Sequence, residues 1–255
     1  MIYKAITDYV ERDDGYRPSG RKPRLWAGDV GYCTRRAIMR IQGWTKTVDF
    51  DLVSKIRMKG GVMWEAETGK ALKYTYGADN VNDQLSLGTV LWSGKVDFVL
   101  FHGTPDATLI EHKATGDKWW NYKNGLPKDP HLLQLLRYYQ MYQDEFDNIP
   151  KLILFYRSWG HYAEFEIHPV SVTDQYIKIR YNAMMDDEHK QGWKKIPHNT
   201  QTLEEYYHRN EPGVQNRTLL PTRLSDPDEG CTFRGEPSCK YYYHCYPYRK
   251  EPDGK

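Results

Sequence analysis

The sequence lacks the features that mark several special classes of protein. No apolar run reaches the roughly 18 residues that a membrane-spanning helix needs, and the N-terminus, Met1-Ile2-Tyr3-Lys4, has no signal-peptide core. There is no internal repeat and no low-complexity tract. The formal net charge of +2 is too small to indicate a polyanionic partner by itself. We therefore expect a soluble, cytoplasmic protein without a membrane partner, encoded by either a cell or a virus.

Cysteine is also scarce, with four thiols in 255 residues: Cys33, Cys231, Cys239 and Cys245. Three of them lie close together near the C-terminus, and the fourth lies far upstream. In an intracellular protein, cysteines clustered in this way are more often metal ligands than disulfide partners. Four thiolates suit zinc and an iron–sulfur cluster about equally well.

The chain is long enough for one sizeable core, since 39% of its 255 residues are hydrophobic. We predict a mixed α/β (α+β) fold in which helices cover a central sheet. Residues 1–53 form a helical and basic N-terminal segment, residues 54–192 form the core, and residues 193–255 form a linker and a tail with three cysteines.

Hydrophobic periodicity and turn residues predict the elements of this fold. Helices are expected over residues 1–12, 33–41, 54–76, 129–146, 173–191 and 203–209, with Thr34 and Asp129 as caps. Strands are expected over residues 84–91, 96–101, 107–114, 151–157 and 161–168. The second and third strands form a hairpin whose turn is His102-Gly103-Thr104-Pro105-Asp106.

This hairpin carries three charged side chains beside a run of apolar residues. Asp97 lies on the outgoing strand, and Glu111 and Lys113 lie on the same side of the returning strand. Such charges are costly beside apolar side chains unless they meet a metal ion or each other. The two acids suit a hard cation in phosphodiester hydrolysis, and Lys113 would orient the attacking water. The alternative is a structural salt bridge on an exposed face.

Two further patterns are compatible with a site for nucleic acid. Gln134 and Tyr138 share one face of a leucine-rich helix, which favours a face turned toward the charged hairpin, although an amphipathic coincidence explains it as well. Between residues 17 and 40, one acid, Asp29, accompanies a series of basic side chains: Arg17, Arg21, Lys22, Arg24, Arg35, Arg36 and Arg40. They indicate a local basic surface, with a merely solvated stretch as the alternative.

Together these motifs resemble the PD-(D/E)xK nuclease superfamily, in particular its RecB-like branch. The matching segments are Gly94-Lys95-Val96-Asp97, Glu111-His112-Lys113 and Gln134-x-x-x-Tyr138. The resemblance implies a restriction-endonuclease-like sheet in which the acids hold Mg²⁺ or Mn²⁺ and the lysine assists attack. It also implies that the glutamine and tyrosine contact DNA near the scissile phosphate. We add His112 to the candidate metal ligands.

One motif departs from the family pattern. Relatives carry a histidine ligand a few residues after a glycine in the helix that precedes the sheet, and this chain has none there. If Gly61 is the family glycine, Glu65 takes the ligand position, where a carboxylate suits a hard cation. If Gly60 is the family glycine, Trp64 takes it and cannot bind metal. Glu67 is a further candidate.

The cysteines resemble those of the iron–sulfur RecB-like exonucleases, which include the CRISPR-associated adaptation nucleases. Cys239-x5-Cys245 matches the last spacing of that group, whereas Cys231-x7-Cys239 is longer than the two residues usual there. The resemblance favours a structural [4Fe-4S] cluster, with zinc as the alternative, that joins the two ends of the chain.

The resulting hypothesis is a metal-dependent DNA exonuclease that acts on single strands or duplex ends. Its phosphate contacts would come from the basic segment: Arg21, Lys22, Arg24, Arg35 and Arg36. The resemblance is also compatible with a homo-oligomer and with a recombination or repair partner. The alternatives are a DNA-binding adaptor that has lost cleavage and a zinc-stapled interaction protein.

Overall fold

The computed structural model describes residues 24–30, 33–44, 52–115, 126–158, 161–169, 176–183, 186–195, 232–233 and 236–237. At residues 34 and 161, and from residue 168 onward, it describes the backbone alone. The chain divides into two compact units. One comprises Met1–Leu25, Tyr32–Ile56 and Gln201–Lys255, and the other comprises Trp26–Gly31 and Arg57–Thr200. The helices predicted over residues 1–12 and 203–209 lie outside the described residues.

Three α-helices lie in the described ranges: α1 (Thr34–Ile41), α2 (Leu52–Tyr76) and α3 (Asp129–Phe146). All three confirm sequence predictions, and α2 continues unbroken through Gly60 and Gly61. The predicted caps are wrong by one residue, because Cys33 and Lys128 are the N-caps. Two short 3-10 turns cover Ala27–Asp29 and Ala78–Asn80. Within the described ranges, no helix combines the length and apolar character needed to cross a bilayer.

The main sheet has eight strands and a mixed arrangement. The strands are β1 (Leu25–Trp26), β2 (Val81–Gly88), β3 (Trp92–Leu100), β4 (Thr108–Ala114), β5 (Lys151–Ser158), β6 (His161–Pro169), β7 (Tyr176–Ala183) and β8 (Asp186–Lys195). Their order is β1-β3-β4-β5-β6-β7-β8, with β2 also paired to β3. A separate two-stranded sheet pairs β9 (Thr232–Phe233) with β10 (Glu236–Pro237). The protein is therefore mixed α/β, as the sequence predicts.

One connection sets the geometry of the central strands. β3 and β4 form the predicted antiparallel hairpin, and β4 then pairs in parallel with β5. Parallel neighbours need a crossover, and α3 provides it between them. The helix therefore returns across the sheet beside β3, β4 and β5, which places its polar residues within reach of β4.

The helix predicted over residues 173–191 is wrong, because this part of the chain forms β7 and β8 as an antiparallel pair added to β6. The sequence explains the error. Ile177, Ile179 and Tyr181 alternate with Lys178 and Arg180, a period of two that fits a strand. The free edge of β6 supplies backbone partners along the whole of β7, and this tertiary pairing outweighs a weak helical pattern.

Apolar packing fixes the hairpin from one face. Val81, Phe98, Leu100 and Ile110 form a buried cluster, and Leu72 of α2 packs against it. Side chains next to these along each strand point to the opposite face. The opposite face of β4 therefore carries Leu109, Glu111 and Lys113 toward α3, so that the charged groups of the hairpin lie under the crossover helix.

Two glycines of α2 give a matched test of this packing. A Cβ on Gly69 would lie 2.9 Å from Cε1 of Phe98, whereas a Cβ on Gly60 would meet nothing within 4 Å. We predict that Gly69→Ala lowers the free energy of unfolding by about 1–2 kcal/mol, because the clash exceeds the gain in helix propensity. Gly60→Ala should raise it by up to about 1 kcal/mol. Urea unfolding measures both, and equal stability of the two variants would contradict the packing.

Candidate active site

The site begins where β3 and β4 separate. Their pairing covers Phe98–Leu100 and Thr108–Ile110. At the next residue of β3, the side chain of Asp97 replaces the backbone as the acceptor: its Oδ2 accepts a hydrogen bond of 2.8 Å from the backbone N–H of His112. The side chain thus satisfies a backbone donor that the partner strand no longer reaches. This fixes the Asp97 carboxylate at the mouth of the gap between the strands.

Glu111 lies across this gap and is almost completely buried, with 1% of its surface exposed. Its Oε1 accepts from Nζ of Lys113, whereas its buried Oε2 has no hydrogen-bond donor. The carboxyl group of Asp97 lies close enough to interact with that of Glu111. Burial raises the pKa of Glu111 to about 8, Lys113 opposes the rise, and the charge of Asp97 adds to it.

Lys113 joins the acids to the crossover helix. Its Nζ donates to Glu111 and, over 3.1 Å, to Oε1 of Gln134 on α3. Nε2 of Gln134 in turn donates to the hydroxyl of Tyr138 over 2.8 Å. The motif residues Glu111, Lys113, Gln134 and Tyr138 are therefore joined in one chain of hydrogen bonds. Burial raises the pKa of Tyr138, and the charge of Glu111 raises it further, so Tyr138 remains a neutral donor.

Gly94 is explained by its contact with Tyr138. A Cβ on Gly94 would lie 2.5 Å from Cε1 of Tyr138 and 3.0 Å from Cβ of Ala27, so any side chain would push the ring away. The ring of Tyr138 is 1% exposed and carries the hydroxyl that meets Gln134. The glycine of the Gly94-x-x-Asp97 motif is thus required by close approach.

The third acid comes from α2. Oε1 of Glu65 accepts from Nε2 of Gln84, and the same nitrogen donates to Oδ1 of Asp97 over 3.2 Å. Burial raises the pKa of Glu65, and the charge of Asp97 raises it further. Burial also raises the pKa of Asp97, whereas Lys113 lowers it. Of the residues proposed to replace the family histidine, Glu65 is therefore brought to the acids.

The other proposed residues lie elsewhere. Glu67 is exposed and pairs with Lys70 at 2.7 Å. The backbone oxygen of Trp64 accepts from Oγ1 of Thr68 at 2.9 Å and from Arg157 at 3.2 Å. These contacts fix the helical turn that carries Glu65.

The imidazole of His112 is not brought to the carboxylates. Its neighbours Glu111 and Lys113 point to the opposite face of β4, and its ring packs against Phe155 with centroids 5.5 Å apart. Burial lowers its pKa to about 4, helped by Arg157 and Lys113. The ring is therefore neutral and packed, and the contribution of His112 to the site is its backbone N–H.

The predicted cluster and basic surface are described only in part. Cys33 lies half-buried at the N-cap of α1 and forms no disulfide with a described residue. Cys231, Cys239 and Cys245 lie outside the described residues, as do Arg17, Arg21 and Lys22. In the same unit, Nη2 of Arg40 donates to the backbone oxygen of Arg24 over 3.2 Å.

The chemical types of these side chains suit a hard cation, whereas their positions do not form a closed set of ligands. Across the described residues, no three side chains of His, Cys, Asp and Glu converge closely enough to hold a metal ion. Three carboxylates nevertheless interact: Asp97 with Glu111, and Glu65 with Asp97 through Gln84. Oε2 of Glu111 is buried and accepts no hydrogen bond, so a positively charged partner would stabilise it. Oxygen ligands of this kind fit Mg²⁺ or Mn²⁺.

Sequence reasoning missed Gln84. The sequence predicts only that Gln84 begins a strand. In the structure, β2 pairs Asp83 with Phe98 and Leu85 with Val96, and this register places Gln84 beside Asp97. Its backbone is also unusual, with φ of 54° in a non-glycine residue. A polar residue in an alternating strand was the one available signal, and it did not specify the register.

Sequence reasoning also missed the anchor of α3. The hydroxyl of Tyr156 on β5 accepts from the backbone N–H of Lys128 at 3.1 Å and lies 2.9 Å from Nδ1 of His131. Since this hydroxyl already accepts one bond, it can donate its own proton to an unprotonated Nδ1. The contact holds the start of α3, one turn before Gln134, against the sheet.

Comparison with known proteins leaves the family open. No family model matches the chain, and no curated protein matches it. Among solved structures, the chain is similar to the protein SSO0001, known from a crystal structure, with a TM-score of 0.49 and 13% sequence identity over 98% of each chain. A likeness at this level carries no argument about function, and the family resemblance of the motifs stays a prediction.

The anchor of α3 predicts a dependence of stability on pH. Burial lowers the pKa of His131 to about 3, with help from Lys113 and Lys128. In the unfolded chain His131 becomes protonated near pH 6.5, whereas in the folded chain it becomes protonated only near pH 3. The free energy of unfolding therefore falls as the pH drops through this window. We predict that His131→Phe reduces this loss by roughly 1–2 kcal/mol between pH 6.5 and 4.5. Urea unfolding at both pH values measures it, and an identical loss in the variant would contradict the assignment.

Proposed function

We propose that the protein is a metal-dependent deoxyribonuclease of the PD-(D/E)xK class, with a restriction-endonuclease-like sheet, that acts as an exonuclease on single strands or duplex ends. One observation carries this proposal. Glu111 is buried beside Asp97 with a donorless oxygen, and Lys113 bonds to the same carboxyl group. Burying the Glu111 carboxyl group beside a second acid costs stability, and this cost favours a role in binding a cation.

The proposed ligands are the carboxylates of Asp97 and Glu111, with Glu65 beside them. Mg²⁺ or Mn²⁺ held there would polarise the phosphodiester and lower the pKa of a bound water. A cation would also offset the burial and the charge of Asp97 that together raise the pKa values of Glu65 and Glu111. The donorless Oε2 of Glu111 would gain its missing partner.

Lys113 is proposed to act on the attacking water and on the developing negative charge. Its Nζ is already held by Glu111 and by Gln134, so little conformational entropy is lost when substrate binds. Gln134 is proposed to contact the DNA backbone from α3, because its amide is a polar group of the kind that contacts phosphate oxygens without reading sequence. Tyr138, which is 1% exposed, is proposed to act with it by holding that amide in place.

The remaining predictions concern the other unit. A structural [4Fe-4S] cluster, or zinc, is proposed for Cys33, Cys231, Cys239 and Cys245. Cys33 is half-buried at the start of α1, and the proposal rests on the spacing of the four cysteines in the sequence. Phosphate contacts are proposed for the basic segment near Arg35 and Arg36, and partners in recombination or repair, or other copies of the chain, belong to the same proposal.

A DNA-binding adaptor without cleavage is the second candidate. Three observations favour it. The acids do not converge as a metal site in the described residues, and Lys113 is paired with the carboxylate that would bind the cation. The family histidine is also absent. Such a protein would bind DNA ends with the same surface and leave them intact.

Two acids on the same helix give a matched test of the nuclease. Glu65 lies with the acids of the site, whereas Glu67, two residues on, is exposed and paired with Lys70. We predict that Glu111→Gln and Glu65→Gln lower the rate of Mn²⁺-dependent shortening of end-labelled single-stranded DNA, the former by about 10²-fold or more. Glu67→Gln should match the wild type.

The same assay separates the two candidates. DNA binding, measured by fluorescence anisotropy without metal, should change little in Glu111→Gln because the carboxylate is buried. If wild-type protein binds DNA but never shortens it with Mg²⁺ or Mn²⁺, the nuclease is excluded and the adaptor is supported.

A further inference from the structure

Gln84 stands between two acids of the proposed site. Its side-chain nitrogen donates both to Oε1 of Glu65 on α2 and to Oδ1 of Asp97 on β3. Glu65 and Asp97 belong to different elements, and in the described residues this amide is the group that links them by hydrogen bonds. Its NH₂ group, rather than its oxygen, must face them, because a carbonyl oxygen would repel both carboxylates.

The backbone at Gln84 is held in an unfavourable conformation to make this contact. Its φ of 54° lies in the left-handed region, which is unfavourable for a residue other than glycine. The residues on either side, Asp83 and Leu85, keep regular pairing with β3. The departure is therefore confined to the one residue whose side chain reaches the acids.

An amide with two donor hydrogens carries partial positive charge and can bridge two carboxylates, as a cation does. It differs from a cation in strength, because it supplies two hydrogen bonds and no net charge. The bridge brings the carboxylates of Glu65 and Asp97 toward one point while it occupies the place between them. The amide therefore links the two carboxylates and at the same time uses their oxygen atoms as hydrogen-bond acceptors.

We propose that Gln84 is a positioning residue whose amide holds the carboxylates of Glu65 and Asp97 together by hydrogen bonds and thereby weakens their affinity for a divalent cation. The proposal rests on the proposed function, since it concerns the same acids. Affinity is weakened because these hydrogen bonds would have to break before both carboxylates could bind a cation.

The test compares cation affinity in the full-length protein with and without this amide. Gln84→Met keeps the length of the side chain and removes both donors. Gln84→Gly removes them too and accepts the positive φ without strain, so the fold is protected in at least one variant. Gln143→Met, on α3, makes the same chemical change at a residue that bonds to Tyr139.

The readout is binding of Mn²⁺, followed by loss of the free Mn²⁺ signal in electron paramagnetic resonance at pH 7.5. We expect both Gln84 variants to bind Mn²⁺ about three- to tenfold more tightly than wild type, where tenfold corresponds to about 1.4 kcal/mol. Gln143→Met should bind as wild type does. The melting temperature of the metal-free Gln84→Met protein should fall, and Mn²⁺ should raise it by more than it raises that of the wild type.

Three results would count against the proposal, and they are distinguishable. Binding by wild type with equal or weaker binding by both Gln84 variants would overturn the proposed role of Gln84 while leaving the proposed function intact. Loss of folded structure in both variants, seen by circular dichroism, would make Gln84 a structural requirement instead. Absence of Mn²⁺ binding by wild type would overturn this inference and the proposed function together.

Discussion

The site depends on one unfavourable interaction, the burial of Glu111 beside Asp97. A carboxylate that is 1% exposed and has a donorless oxygen loses its hydration without full replacement by protein groups. Lys113 offsets part of this cost from one side. The remaining cost appears in the pKa of Glu111, which burial raises to about 8, and a cation beside the two acids would offset it.

Packing contacts on both faces of the hairpin offset the cost of burying Glu111. The apolar cluster around Phe98 and Ile110 fixes the hairpin from one face. The crossover between β4 and β5 then brings α3 over the other face, and the Tyr156–His131 contact fixes the start of that helix. Gln134 is thereby held where it can bond to Lys113. The positions of the charged groups are therefore set by contacts outside the site. The acids can lie close together because the fold does not depend on them.

Much of this arrangement is encoded locally and was predictable. The hairpin follows from alternation and a turn rich in Gly and Pro, and the spacing of Glu111 and Lys113 puts both on one face of a strand. The helices α2 and α3 follow from length, period and the Asp129-Pro130 start. Each of these signals depends on residues that are near in sequence, so each element can be predicted without knowledge of the fold.

The parts that could not be predicted depend on pairing between distant segments. Gln84 reaches Asp97 through strand register and a positive φ, neither of which the sequence states. Residues 176–195 carry a pattern compatible with helix and strand, and the open edge of β6 decides between them. The turn of α2 that carries Glu65 is held by Arg157, 93 positions away from Trp64 in the chain.

We propose that the buried carboxylate of Glu111 and the half-buried carboxylate of Asp97 bind a divalent cation. Crystals of the full-length protein soaked with Mn²⁺, with anomalous scattering recorded at the manganese edge, test it most directly. The account predicts an anomalous peak in contact with carboxylate oxygens of both Asp97 and Glu111, and its loss in Glu111→Gln. A peak that lies elsewhere, or no peak at a saturating Mn²⁺ concentration with Lys113 still paired to Glu111, would contradict it.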